Sequence, residues 1–276
     1  MALDSMRALA SAEKAARSAG ELILEWIGRP RMTTEKSSPH DLVTEVDKAC
    51  QKRIEAVLGE DFPDSALLGE ESVEPGAAAA HEAAAHADQR FLWVVDPIDG
   101  TLNFIQGIPL CAVSIGLVVA GVPALGVIYD PMRDEMFCAA DGRATLNGQP
   151  MRVSPEPRLA NAVLASGFPN GEYRERNAEQ IRRFGRHVRN VRALGTAALE
   201  LAYVACGRLD GFWENDLNAW DLCAGMVMVQ AAGGSATDVH GGAYALTTRH
   251  AVATNGRIHD ALLRDLDVDT PAANEG

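Results

Sequence analysis

Phe91-Leu92-Trp93-Val94-Val95 is an unbroken apolar run that stops abruptly at Asp96-Pro97-Ile98-Asp99-Gly100-Thr101. Such a run reads as a buried strand, and the proline and glycine after it enforce a sharp turn. Two carboxylates are thereby held close together at a strand's end. They repel one another, and burial would raise their pKa values unless a divalent cation compensated them. Oxygen ligands without a neighbouring histidine or cysteine select magnesium, with manganese as a substitute, over zinc. An isolated Asp-x-x-Asp is ordinarily turn chemistry. Here Gly100 also lets the backbone approach an anion, and the N–H groups after it can point at phosphate oxygens, so metal and phosphate would share one turn.

The rest of the chain alternates helical and strand patterns. Apolar positions Leu9, Ala12, Ala16, Leu22, Ile23 and Trp26 predict a first helix over 5–27, ending at Gly28 and Pro30. A second helix starts near Asp47, carries Ile54, Val57 and Leu58, and stops at Gly59. Ala66–Leu68 reads as a short strand delivering Gly69-Glu70-Glu71 at its tip. The alanine- and histidine-rich tract between Gly76 and Arg90 reads as a surface excursion with good helical propensity. Strands follow over 113–119, 124–129 and 135–139, with an Asn147-Gly148 turn, which is an antiparallel pattern. Beyond it the expected elements are strands at 162–166, 188–191, 210–213 and 252–254, and helices at 178–186, 197–206, 220–232 and 258–266. The 276 residues suffice for one extended α/β domain, with an N-terminal α+β half over about 1–150 and a C-terminal α/β half over about 151–276.

A formal net charge of -13 leaves no broad basic surface to neutralise a nucleic-acid backbone, so no nucleic-acid partner is expected. The same acidity repels phosphate unless a cation stands between. Five scattered cysteines without a Cys-x-x-Cys pair fit reduced thiols in a cytoplasm. Asp4 and Glu13 interrupt the N-terminal apolar pattern, so no export signal is expected. The most apolar stretch, 108–128, is broken by Gly116, Gly121, Pro123 and Gly126, and suits two strands and a turn rather than a membrane span.

Three further acids stand at element ends: Asp47 beside a helix start, Glu70 at a strand tip, and Asp221 in a helix's first turn. Each alone is an ordinary cap or dipole-compensating residue. Together with Asp96 and Asp99 they form a pattern. The segments 93–104 (Trp93 to Phe104), Gly69-Glu70-Glu71-Ser72 and 220–225 (Trp220 to Gly225) resemble the inositol monophosphatases, within the wider lithium-sensitive, magnesium-dependent phosphatases. Lys36-Ser37-Ser38-Pro39, Asp41–Thr44 with Asp47, and Gly195-Thr196-Ala197-Ala198 are similar too, so the resemblance covers nearly the whole chain.

That resemblance implies a layered αβαβα sandwich of the inositol monophosphatase and fructose-1,6-bisphosphatase type, a homodimer, and inhibition by lithium. It implies one magnesium held by Glu70, Asp96 and the carbonyl of Ile98, and a second held by Asp96, Asp99 and Asp221. A third, weaker one lies near Glu70. Glu70 and Thr101 would orient the attacking water, and Asp47 would accept a hydrogen bond from Thr101. Gly100 and Thr101 would contact the phosphate, whereas Ser166, Gly195, Thr196, Ala197, Glu214 and Asp221 would contact the alcohol, with Lys36 near the metals. From the residues alone Glu214 also fits a solvated loop acid and Lys36 a surface lysine.

The expected substrate is a small phosphate monoester, myo-inositol 1-phosphate first. Histidinol phosphate, fructose 1,6-bisphosphate and adenosine 3',5'-bisphosphate are hydrolysed by relatives on the same metal core. Asn103-Phe104 after Gly-Thr favours the inositol branch. Some bacterial relatives are linked instead to the transcription machinery, which leaves a regulatory role as the alternative from another class.

Overall fold

The computed structural model describes residues 4–29, 33–35, 42–74, 77–85, 90–169 and 173–267. In chain order the elements are α1 (Ser5–Trp26), β1 (Thr33–Glu35), β2 (Leu42–Thr44), α2 (Glu45–Asp61), β3 (Ala66–Gly69), α3 (Ala77–Ala85), β4 (Phe91–Asp99), α4 (Thr101–Gln106), β5 (Ala112–Val119), β6 (Val122–Asp130) and β7 (Glu135–Ala140). There follow β8 (Arg143–Leu146), β9 (Gln149–Pro150), β10 (Val163–Ala165), α5 (Tyr173–Phe184), β11 (Asn190–Arg192), α6 (Ala197–Ala205), β12 (Gly211–Glu214), α7 (Ala219–Ala231), β13 (Ser235–Asp238), β14 (Ala251–Thr254) and α8 (His259–Asp267). A seven-stranded sheet runs β3-β4-β5-β6-β7-β8-β9, and a five-stranded sheet runs β11-β10-β12-β14-β13. The first is antiparallel except for β3 beside β4; in the second, β10 runs parallel to both its neighbours. Strands β1 and β2 pair with each other.

The layers follow from which faces are apolar. Helix α1 is capped by Asp4, whose carboxylate accepts the Arg7 N–H, and it buries Ala8, Ala12, Ala15, Ala16 and Ala19 on one stripe. That stripe and Ile54 and Leu58 of α2 cover Val95, Ile115 and Val127 on one face of the large sheet. Helices α6 and α7 are apolar all round, as a helix between two sheets must be. Leu201, Leu222 and Met226 pack against Ile128 and Phe137 of the large sheet and against Phe212 and Ala253 of the small one. Phe184 of α5 and Leu262 and Leu266 of α8 close the outer face over Leu164, Trp213 and Val252. The result is the αβαβα sandwich expected from the resemblance.

Seating α7 depends on two glycines. Gly116 of β5 pairs with Gly126 of β6, and a Cβ on either would strike Cys223 or the Ala224 backbone of α7. With hydrogen there instead, the helix lies directly on the sheet, and its first turn, which carries Asp221, reaches the end of β4.

Three expectations are corrected. Strand β4 runs on through the acids to Asp99, with a register shift against β5 between Asp96 and Asp99, where Pro97 has no N–H to give a ladder. The alanine-rich tract is not simply a surface excursion: α3 forms within it and buries Ala80 and Ala84 against Leu92, Val94 and Trp220, because alanines four apart make a narrow apolar stripe. Helix α5 begins at Tyr173, five residues before the expected start, in a turn too polar to show periodicity. No helix among the described residues is long and apolar enough to cross a membrane.

Candidate active site

The end of β4 presents its two acids to three other elements. Asp96 is almost fully buried and accepts the Ile98 N–H at 3.0 Å, which folds the strand end back toward its own carboxylate. Asp99 is held by the start of α6: Thr196 donates its hydroxyl to Asp99 Oδ2, and Ala198 N–H donates to the same oxygen at 2.7 Å. Thr196 is itself the N-cap of α6 and accepts the Leu199 N–H. Asp221, at the third position of α7, accepts the Asn218 N–H at 2.7 Å as half of a capping box. The cap therefore fixes the carboxylate as well as ending the helix.

Asp96, Asp99 and Asp221 each offer an oxygen within 4.8 Å of the others. Glu70 opens the short 3-10 turn over 70–72 after β3, and its carboxyl lies close enough to Asp96 to raise that group's pKa. Burial first, then the charges of Glu70, Asp99 and Asp221, push the Asp96 carboxyl far above the usual range. Asp221 is pushed far up by burial and then by Asp99 and Glu70, against the Asn218 N–H and the Arg249 charge. Burial raises Asp99 to about 6, opposed by its bonds from Thr196 and Ala198. Buried carboxylates packed this closely are costly without a cation among them. Their hard oxygen donors, with no cysteine or histidine in the group, fit a divalent metal ion.

Thr101 lies beside this cluster. Its Oγ1 is 3.2 Å from Asp47 Oδ1 and 3.1 Å from the Ile98 carbonyl, within donating reach of both. Asp47 is buried in the first turn of α2. Gly100 has a φ of 90°, and a Cβ there would press on the Leu110 and Gly195 carbonyls and on Thr196. The turn after β4 is thus packed directly against the turn before α6, which places Gly195, Thr196 and Ala197 at its side.

Ser166 follows β10 and is fully buried. Glu214 is the last residue of β12 rather than a loop residue, and it is buried, which sets aside the solvated loop acid. Its carboxyl packs against the Gly167 backbone and its pKa lies far above the usual range, first through burial and then through the charges of Glu200, Asp221 and Asp99. It therefore belongs electrostatically with the acids at the end of β4 and in the first turn of α7. Lys36, with Ser37 to Asp41, lies outside the described residues.

Several residues to which the sequence patterns gave no structural role support the site. Asn103 donates its Nδ2 to the Leu110 and Leu194 carbonyls, both at 2.8 Å, and ties the turn after β4 to the turn before α6. Glu200 is buried in α6, accepts the Leu194 N–H at 2.6 Å, and is pushed up to about 8 by burial. Arg249 donates to Asn218 Oδ1 at 2.6 Å and to Asp216 Oδ1 at 2.7 Å, steadying the loop before α7. Of these, Glu200 left a local signal as a lone acid inside the apolar stretch 197–205, and Asn103 stood in the motif after Gly100-Thr101.

A family model described as the inositol monophosphatase family matches residues 4–268. The inositol-1-monophosphatase of Synechocystis sp. is 38% identical over 258 residues, covering 92% of this chain and 87% of that protein. A Pseudomonas aeruginosa protein named Nus factor SuhB is 40% identical over 269 residues, covering 94% of this chain and 95% of its own. The solved structure of a Thermotoga maritima IMPase matches with a TM-score of 0.83 at 33% identity, over 92% of this chain and 94% of that one.

Proposed function

The chain belongs to the inositol monophosphatase family and is a phosphoric monoester hydrolase, and we propose that it hydrolyses myo-inositol 1-phosphate with magnesium at the Asp96–Asp99–Asp221 cluster. The observation that carries this is the convergence of those three carboxylates within 4.8 Å. Glu70, Asp96 and the Ile98 carbonyl would hold one ion, and Asp96, Asp99 and Asp221 a second, with a third near Glu70. Manganese fits the same oxygens. Bound there, divalent ions supply a Lewis acid that neutralises charge building on the phosphoryl oxygens in an in-line displacement.

The chain's own groups do the rest. Gly100 and Thr101 receive the phosphate at the turn after β4. Glu70 and the Thr101 hydroxyl orient the attacking water, and Asp47 holds that hydroxyl by accepting its proton in a hydrogen bond. As the water oxygen bonds to phosphorus, the phosphorus–oxygen bond to the alcohol breaks on the opposite side; the water gives up a proton to solvent and the departing alkoxide takes one from solvent. Glu214 and Asp221 accept hydrogen bonds from the alcohol's hydroxyls, beside Ser166, Gly195, Thr196 and Ala197. The two halves of the single domain divide the work: residues 1–150 supply the phosphate side, and 151–276 supply the alcohol side and Asp221. A cytoplasmic homodimer inhibited by lithium belongs to the same proposal.

Phosphate release is to be measured on a panel of inositol 1-phosphate, histidinol phosphate, fructose 1,6-bisphosphate and adenosine 3',5'-bisphosphate. The first is expected to be the best substrate, with activity that needs magnesium and collapses in Asp96→Asn. Unchanged activity in that variant would remove the site assignment, and a better rate on another member of the panel would replace the substrate.

A second function, in transcription, is favoured by the relatives named Nus factor SuhB, and it stands against the absence of nucleic-acid partners expected from charge. It predicts that Asp96→Asn still rescues the growth defect of a strain lacking the gene. Failure of that rescue would leave hydrolysis as the chain's role.

A further inference from the structure

Behind the proposed alcohol side, α5 carries two buried amides one turn apart, Asn177 and Gln180. Asn177 Nδ2 donates to the Gly167 carbonyl at 3.0 Å and lies 3.4 Å from Ser166 Oγ. The Glu214 carboxyl packs against the Gly167 backbone, whose N–H draws its pKa down. Asn215, the residue after Glu214, donates its Nδ2 to Asn177 Oδ1, and to Gln180 Oε1 at 3.2 Å. The contacts close a ring that runs from the Asn177 amide to the Gly167 backbone, on to the Glu214 carboxyl packed against it, along the chain to Asn215, and back to Asn177. The fit around Gly167 is tight, since a Cβ there would strike the Glu214 carboxyl.

The ring acts on a group that its surroundings push away. Glu214 feels the charges of Glu200, Asp221 and Asp99. The Gly167 N–H is an attraction set against that repulsion, and Asn177 limits how far the Gly167 backbone can move by anchoring its carbonyl. Gln180 is itself held by Trp213 Nε1–H at 3.0 Å, on the strand that carries Glu214. A buried amide with donor and acceptor both engaged keeps one orientation, because turning it leaves both partners unsatisfied.

We propose that Asn177 is a positioning residue that holds the Glu214 carboxyl in place through the Gly167 peptide, and so sets the enzyme's preference for phosphates of polyhydroxylated alcohols over phosphates with no hydroxyls to read. The proposal rests on Glu214 contacting the alcohol, as argued under the function above. Asn177 itself touches no substrate. Loss of its amide therefore weakens recognition of the alcohol and leaves metal binding and phosphoryl transfer in place.

The test uses Asn177→Ala and Asn215→Ala, which open the ring at two different points, with inositol 1-phosphate and p-nitrophenyl phosphate as substrates. In both variants KM for inositol 1-phosphate is expected to rise roughly tenfold with kcat held within about twofold, while both constants for p-nitrophenyl phosphate stay within about twofold. The aryl phosphate also reports that each variant is folded. In a Glu214→Gln background the Asn177→Ala effect on KM is expected to disappear, because the two residues act as one unit. Parallel losses on both substrates, or additive losses in the double variant, would overturn the proposal. A crystal structure of Asn177→Ala decides the positioning apart from any substrate: a Glu214 carboxyl still seated against the Gly167 backbone overturns it, and a displaced one supports it. Wild-type protein that hydrolyses only the aryl phosphate sinks the inositol assignment and leaves that structural test standing.

Discussion

The Thr101 hydroxyl lies 3.2 Å from Asp47 Oδ1, joining the first turn of α2 to the turn after β4 across 54 residues of chain. Neither residue reaches the other through a local motif. The contact exists because α2 packs on the large sheet with Asp47 buried at the end nearest the acids. If Thr101 orients the attacking water, Asp47 decides which way its hydroxyl points. A hydrogen bond to a charged acceptor is worth about 1.5–3 kcal/mol, so Asp47→Asn is expected to lower kcat by roughly 10–100-fold. KM should stay within about twofold. Thr101→Ser, which keeps the hydroxyl, should retain most of the activity. Steady-state kinetics checks this, and an Asp47→Asn variant with wild-type kcat would show that the hydroxyl needs no partner.

The site was legible in sequence where local chemistry is abrupt, and hidden where it depends on distant packing. Asp96 and Asp99 stand out because an apolar strand runs into proline and glycine. Asp221 stands out because it sits in the first turn of a helix. Glu214 was ambiguous, since only the pairing of β12 with β14 makes it the end of a buried strand. Asn103 stood in a motif that did not tell its partners, and Asn177 left no local trace. The one bonds a carbonyl 91 residues away and the other an amide 38 residues away, and a polar residue on a polar-looking segment predicts exposure. Strand β13 was missed for the converse reason: Ser235-Ala236-Thr237-Asp238 has little apolar pattern and is held by pairing with β14. Lys36, the one candidate site residue outside the described residues, is the place where sequence still says more than structure.

Proton and metal binding should be linked in opposite senses. A carboxyl whose folded pKa is raised stabilises the protein fully below its unfolded pKa, near 4, and that contribution is lost as pH rises through the folded value. For Asp99 the loss runs from about 4 to about 6. For Glu200 it extends to about 8. Metal ligands must give up their protons to bind, so the rise in Tm produced by magnesium should grow from pH 5 to pH 7. Glu200 lies outside the proposed ligand set, and magnesium should leave its contribution in place. Glu200→Gln can still accept the Leu194 N–H yet never ionises, so its Tm should approach or match wild type at pH 6 and exceed it increasingly toward pH 9. Calorimetry with magnesium and with a chelator measures both trends. A magnesium effect independent of pH, or a Glu200→Gln difference that shrinks as pH rises, contradicts them.

The glycine track under α7 connects packing to metal affinity. Gly126 faces the backbone of Ala224, three residues beyond Asp221, and a methyl group there would meet main-chain atoms that no rotamer change can move. Gly126→Ala must lift the first half of α7 from the sheet. Overpacking of this kind costs about 1–3 kcal/mol, or roughly 2–4 °C of Tm per kcal/mol in a chain of this size. The same shift carries Asp221 away from Asp96 and Asp99, which sit on the sheet and do not follow. The magnesium concentration for half-maximal activity should therefore rise several-fold, beyond what lost stability alone would produce. Gly59→Ala in α2 is the control, because a Cβ there meets nothing within 4 Å, and it should be neutral or stabilising by about 0.4–1 kcal/mol. If Gly126→Ala lowers Tm and leaves magnesium activation at the wild-type value, the sheet does not position Asp221. The capping box with Asn218 would then be enough to hold that carboxylate in place.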